Sequence, residues 1–120
     1  MANILSESVS VSQSGALVRV DFQQIHDDGV DMGGALVLDA ANAPWLAAEV
    51  DKAAGGWGYE RVEQGAGPDH FTVYVGGGDY QQFVHVHNER DAAAPEGKLY
   101  AIGLSLDVAR TLASQLAAVG

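Results

Sequence analysis

Residues 5–14 read Leu-Ser-Glu-Ser-Val-Ser-Val-Ser-Gln-Ser, and residues 16–23 follow as Ala-Leu-Val-Arg-Val-Asp-Phe-Gln after a glycine at 15. Serine stands at every even position from Ser6 to Ser14, while Leu5, Val9 and Val11 share the odd face. A period of two is the signature of a strand with one wet face. Past the Ser-Gly turn signal the alternation resumes. Ala16, Val18, Val20 and Phe22 lie on one face, and Arg19, Asp21 and Gln23 on the other. Two alternating runs joined by a glycine turn predict a β-hairpin.

Outward from this hairpin, residues 26–34 (His-Asp-Asp-Gly-Val-Asp-Met-Gly-Gly) read as a polar, glycine-rich loop, and Ala35 to Ala40 as a short apolar strand. Asn42 can cap a helix, and Pro44 is tolerated in a first turn. Leu46, Ala47, Val50 and Ala54 recur at helical spacing before Gly55-Gly56. Further strands are predicted at Tyr59–Glu63, Phe71–Val75, 80–88 and Leu99–Leu106, with turns at Gly65–Pro68 and Gly76–Asp79 and a loop at 89–97. Asp107 can cap a last helix carrying Val108, Leu112, Leu116 and Val119 on one stripe. The expected class is α+β: a mostly antiparallel sheet of six or seven strands, or two half-sheets, with two helices on one face.

The order hairpin, acidic loop, strand, helix is written twice. Leu36-Val37-Leu38-Asp39 followed by Trp45-Leu46-Ala47 and Val50 is echoed by Leu104-Ser105-Leu106-Asp107 followed by Thr111-Leu112-Ala113 and Leu116. This suggests one domain over 1–120 built from a duplicated βββα unit, with pseudo-repeats 1–56 and 57–120. Such a short unit cannot cover its own sheet face, so two would pack together. Duplicated strand-plus-helix units resemble the PUR-type and Whirly-like nucleic-acid binders. The helix and four strands over 42–106 resemble, in permuted order, the vicinal-oxygen-chelate fold. These are likenesses of element order and carry no shared motif.

Charge bears directly on function. Six Lys plus Arg stand against sixteen Asp plus Glu, a formal net charge of −10 in 120 residues. Non-specific nucleic-acid binding rests on Lys and Arg displacing counterions, so this chain should repel phosphate backbones. Anionic membrane surfaces are disfavoured for the same reason. The N-terminus lacks a basic, apolar leader, and no cysteine is present. A cytoplasmic location is the simple expectation.

Few residues suggest chemistry. His85 and His87 form His-x-His on a strand, which puts both side chains on one face about 7 Å apart. That spacing suits two-imidazole chelation of a divalent metal and resembles the first half of a cupin metal motif. Glu89 continues the face, while His26 and His70 would have to be supplied by the fold. No nucleophile elbow exists, and the triple glycine at 76–78 precedes no lysine or helix, so it is a turn and not a phosphate loop. Trp45 and the strand tyrosines are expected to be packing residues.

Acidic residues gather in two places: Asp27, Asp28 and Asp31 in the first loop, and Glu89, Asp91 and Glu96 in the second. Three expectations follow. The first is a non-catalytic acidic module that binds a basic protein, such as an immunity or inhibitor protein masking a toxin or nuclease. The second is a small metal- or ligand-binding enzyme using His85 and His87. The third is a homo-oligomeric structural subunit pairing through its serine-rich first strand.

Overall fold

In the computed structural model, residues 4–66, 69–77, 82–88 and 101–119 are described. The elements are β1 (Ile4–Ser14), β2 (Leu17–His26), β3 (Asp31–Asp39), a 3-10 turn (Ala40–Asn42), α1 (Ala43–Ala53), β4 (Val62–Ala66), β5 (Asp69–Gly77), β6 (Gln82–Asn88), β7 (Ala101–Ser105) and α2 (Leu106–Ala117). They form two antiparallel meanders, β1-β2-β3 and β4-β5-β6-β7, each followed by a helix. The class is α+β with seven strands and two helices among the described residues.

The opening alternation does produce the hairpin. Ser14 pairs with Leu17 across a two-residue turn, with Gly15 at φ 61°. Gly15 is there because a hairpin turn of this length needs a positive φ. Val18, Val20 and Phe22 are buried, and Val9 and Val11 pack against the core from the edge. Leu5 departs from the pattern. The register slips between Ile4 and Ser6, and Leu5 is left 68% exposed. A bulge inserts one residue, so the alternation is lost at that point.

The expected loop at 26–34 is shorter than the sequence suggested. Its chain reversal takes only Asp27 to Val30, closed by the His26 N–H donating to Val30 O at 2.9 Å. Asp28 Oδ1 accepts from the Val30 N–H at 3.0 Å, and Gly29 takes φ 89°. This side-chain-closed turn lets β3 begin at Asp31. Gly33 and Gly34, read as loop residues, are paired in β3 with Gln23 and Phe22. Asp31 therefore belongs to a strand.

Other boundaries shift for similar reasons. β4 starts at Val62, since its ladder runs from Val62–Val73 to Ala66–Asp69. Gly65, expected in a turn, pairs with His70, and Gly76 and Gly77 pair with Phe83 and Gln82. The final strand stops at Ser105. Ser105, not Asp107, is the N-cap of α2, and Leu106 opens the helix half-buried instead of sitting buried in a strand. The predicted loop at 89–97 lies outside the described residues.

Both helices bury the stripe their spacing demands. α1 buries Ala43, Leu46, Ala47, Val50 and Ala53; α2 buries Ala109, Leu112, Ala113 and Leu116. These residues join Val18, Val20, Leu36 and Leu38 from the first meander in one core. From the second meander Phe71, Val73, Val84, Val86, Ile102 and Leu104 enter the same core. Neither meander covers its own apolar face, and the shared core does it for both. After α1 the chain turns at Gly56, with φ 87°. The Tyr59 hydroxyl then donates to Glu49 Oε2 at 2.7 Å, tying this segment back to the helix. Burial, reinforced by Glu49, raises the Tyr59 hydroxyl well above the usual phenol range.

One polar cluster crosses between the meanders inside this apolar setting. Asp69 is 1% exposed and Asn88 3% exposed. Asp69 Oδ2 accepts from the Asp39 N–H at 2.9 Å and from Asn42 Nδ2 at 2.6 Å. Asn88 Nδ2 donates to Asp69 Oδ1 at 3.2 Å and to Val37 O at 2.8 Å. Asn42 is the N-cap residue of α1, yet its side chain serves Asp69 and makes no bond to the helix end. Asp69→Asn puts an NH2 group where a carboxylate accepts from several donors. It should cost about 2–4 kcal/mol in urea unfolding, well beyond an ordinary surface change.

Candidate functional site

The side chains that share the outer face of the second meander form the best candidate site. Strand parity sends Val84 and Val86 inward, both fully buried, so Phe83, His85 and His87 point away from the core. The register sets Tyr74 opposite His85 and Thr72 opposite His87 on one side, with Gly103 opposite His85 on the other. Tyr74 lies parallel to His85, with ring centroids 4.6 Å apart and planes at 10°. It meets His87 edge-on at 5.5 Å, and Phe83 lies 6.4 Å from His85. The Arg61 guanidinium stands over the Tyr74 ring at 5.8 Å.

Two glycines make room for this arrangement. A Cβ at Gly76 would come within 3.1 Å of His85 Nε2, and one at Gly103 within 3.2 Å of its Nδ1 and Cε1. Both positions sit inside strands, where glycine usually weakens the ladder. Here each keeps the sheet surface low so that the imidazole can lie across it. Burial first, and the neighbouring His87 second, lower the His85 pKa below the ordinary imidazole value. At neutral pH the ring is an uncharged, half-buried plate carrying one donor and one acceptor nitrogen.

The sequence-selected residues fall as follows. His85 and His87 do share a face, with Tyr74 contacting both. Among the described residues, no group of three or more His, Asp or Glu side chains gathers as a metal-binding set. Asp27 and Asp28 occupy the β2–β3 turn and Asp31 the start of β3, all exposed. Gln23 Nε2 reaches both Asp31 carboxylate oxygens at 3.4 Å. Glu89, Asp91 and Glu96 lie outside the described residues.

Sequence reasoning overlooked the connection between the acidic turn and the histidine face. His26, at the base of that turn, sits 2.6 Å from Gln24 Oε1. Gln24 is buried, and its Nε2 donates to Glu7 at 2.9 Å and to Gly103 O at 3.4 Å. Gly103 in turn carries the His85 ring. Glu7 closes the link by accepting from the Ser105 N–H at 2.9 Å and the Ser105 hydroxyl at 2.5 Å. A Gln among the inward-facing valines of β2 was the visible signal, since a buried amide requires partners.

Basic side chains add little to the described surface. Arg19, Lys52, Arg61 and Arg110 each pair with a nearby carboxylate: Asp21, Glu49, Glu63 and Asp107. No described cation stands apart to meet a phosphate backbone. A cleft of about 460 Å³ on the helices is walled largely by Ala47, Ala48, Ala113 and Ala117, with Asp51 and Arg110 its charged members. It lacks the converging polar groups of a catalytic pocket. No described helix is long and apolar enough to cross a membrane. No family model and no curated protein matches this sequence.

The His85 environment sets a pH dependence. In the unfolded chain the imidazole takes up a proton near pH 6.5, roughly. In the folded protein it does so only at lower pH. Stability held by neutral His85 is therefore complete above the unfolded value and is lost as pH falls through the folded one. NMR titration of the ring protons should place the His85 inflection below that of a free imidazole. His85→Phe, which keeps a ring on Tyr74, should flatten the loss of stability between pH 7 and 5. An inflection at or above the free value would contradict the burial seen here.

Proposed function

We propose that this chain is a non-catalytic acidic module that binds a basic protein, in the manner of an immunity or inhibitor protein masking a toxin or nuclease. The observation that carries the reading is the contact path from the acidic turn through His26, Gln24 and Gly103 to His85 and Tyr74. It ties the exposed acidic turn, through the buried Gln24, to the strand that supports the aromatic patch. Protein interfaces concentrate their energy in aromatic anchors ringed by polar groups. Tyr74 already accepts a guanidinium on its face, through Arg61, so an incoming arginine would find a compatible surface.

The acidic turn fits the role of a steering rim. Asp27 and Asp28 are exposed, and the described cations are engaged elsewhere. Exposed like charges add nothing to folding when gathered together. Across an interface they speed encounter with an oppositely charged partner. The duplicated βββα unit belongs to this proposal too: both halves run as meander then helix, and the second acidic run at 89–96 would then echo the first.

Affinity capture from extracts of the source cells, with the chain as bait, tests the reading. The retained protein should be basic and should elute as salt is raised. Replacing Asp27, Asp28 and Asp31 together by Asn should leave the melting temperature unchanged or slightly higher. The same triple change should slow association about tenfold at low salt and flatten its salt dependence. Tyr74→Ala should instead speed dissociation. A retained partner that is acidic, or indifferent to both changes, would refute the assignment.

A further inference from the structure

We propose that β1 is a dimerisation strand: two copies of this chain pair antiparallel along it, about a two-fold axis through Ser10. This goes beyond the basic-partner reading and uses a different part of the molecule. β1 is eleven residues long and stands at the end of the order β1-β2-β3, so only β2 pairs with it among the described residues. A long open edge is a template for another strand, and proteins that stay monomeric blunt it with lysine, proline or inward charge. β1 has no lysine and no proline; its bulge is confined to the Ile4–Ser6 end, and its one inward charge, Glu7, lies beside that end with its carboxylate taken up by Ser105 and Gln24.

The ladder fixes which groups face outward. The His26 N–H bonds to Val30 O, so even residues of β2 turn their main chain toward β3, and odd ones toward β1. Odd residues of β2 stand opposite even residues of β1, as in Arg19–Ser12 and Asp21–Ser10. Glu7, Val9, Val11 and Gln13 therefore present their N–H and C=O groups to the open edge.

Residues 6–14 read nearly the same in both directions: Ser-Glu-Ser-Val-Ser-Val-Ser-Gln-Ser. Turned antiparallel about Ser10, the strand sets Val9 against Val11 of the second copy, and Glu7 against Gln13. Both are odd–odd pairs, so outward N–H groups meet outward C=O groups. Each serine meets a serine: Ser6 with Ser14, Ser8 with Ser12, and Ser10 with itself. The departure from a palindrome, Glu7 with Gln13, keeps the carboxylates apart. A chain with net charge −10 repels its own copies, yet this strand carries Glu7 alone, and Glu7 is turned inward to Ser105.

The flank of the strand also needs a cover. A cleft of about 300 Å³ beside it is lined by Val11, Ser12, Gln13, Gln115, Ala118 and Val119. Val9 and Val11 are half-buried at this edge. In the paired arrangement Val9 of the second copy comes alongside Val11 on the same face, next to Val119. A self-complementary strand with an apolar flank is what a two-fold interface requires.

Sedimentation velocity from micromolar to millimolar concentration should show a monomer–dimer equilibrium. Val11→Pro removes one outward N–H and no bond to β2, a substitution edge strands tolerate. It should raise the dissociation constant at least tenfold while leaving the far-UV spectrum intact. Register is read separately, because the chain has no cysteine. Ser10→Cys should cross-link with itself under mild oxidation, since facing residues of this kind have Cα atoms about 4.5 Å apart. Ser6→Cys and Ser14→Cys should each fail alone and cross-link when mixed. A monomer at every concentration, a dimer untouched by Val11→Pro, or Ser6→Cys linking to itself as fast as Ser10→Cys would each overturn the proposal.

Discussion

The fold depends on one buried carboxylate. Asp69 sits at the start of β5, inside the second meander, and takes hydrogen bonds from residues that end the first: Asp39 and Asn42. Asn88 at the end of β6 braces it and reaches Val37 in β3. Two sheets that shared only apolar contacts could slide over one another, because the hydrophobic effect has no direction. Hydrogen bonds to a desolvated carboxylate do have direction, and they are short only in one docking of the two halves. Asn42 shows the priority. It gives up the bond it could make at the head of α1, and Pro44 in the first turn lowers the number of N–H groups left there to satisfy.

With that docking set, the outer faces acquire their form. β7 lies where the first meander reaches the second, through Glu7 on Ser105 and Gln24 on Gly103. The same glycine admits His85 on the opposite side. One strand of five residues thus carries the inter-sheet contact and supports the aromatic face. A side chain at position 103 would press on the His85 ring, which explains glycine in the middle of this strand better than any turn requirement does.

Much of the fold was legible because it is periodic. Alternation found β1, β2, β5 and β6, and the 3.6-residue stripe found both helices. The strand faces of Val84 and Val86 against His85 and His87 followed from parity alone. Glycine misled the reading where it sits in strands: Gly33, Gly34, Gly76 and Gly77 look like turns, yet pair because a partner needs the space or tolerates the gap. The site was half legible. His85 and His87 stood out by spacing, whereas Tyr74, Gly103 and Arg61 join them only through register, which no local pattern encodes. Asp69 gave no signal either, since an aspartate after a proline reads as a loop residue until its burial is seen.

The distribution of charge separates two kinds of surface. The described cations are spent on carboxylates two or three residues away, pairs that contribute little to stability in water. Their effect is to cancel charge locally over β2, α1, β4 and α2. What is left is uneven: a negative turn at Asp27 and Asp28, and a β1 that is neutral over the seven residues after Glu7. Long-range attraction would act at the first, where charge projects into solvent. Main-chain pairing, as proposed, would act at the second, where charge would oppose the approach of an identical chain. A net charge spread evenly over the surface would serve solubility alone. With the turn charged and β1 neutral beyond Glu7, one region suits an oppositely charged partner and another suits a copy of the same molecule, so the two proposed contacts need not compete.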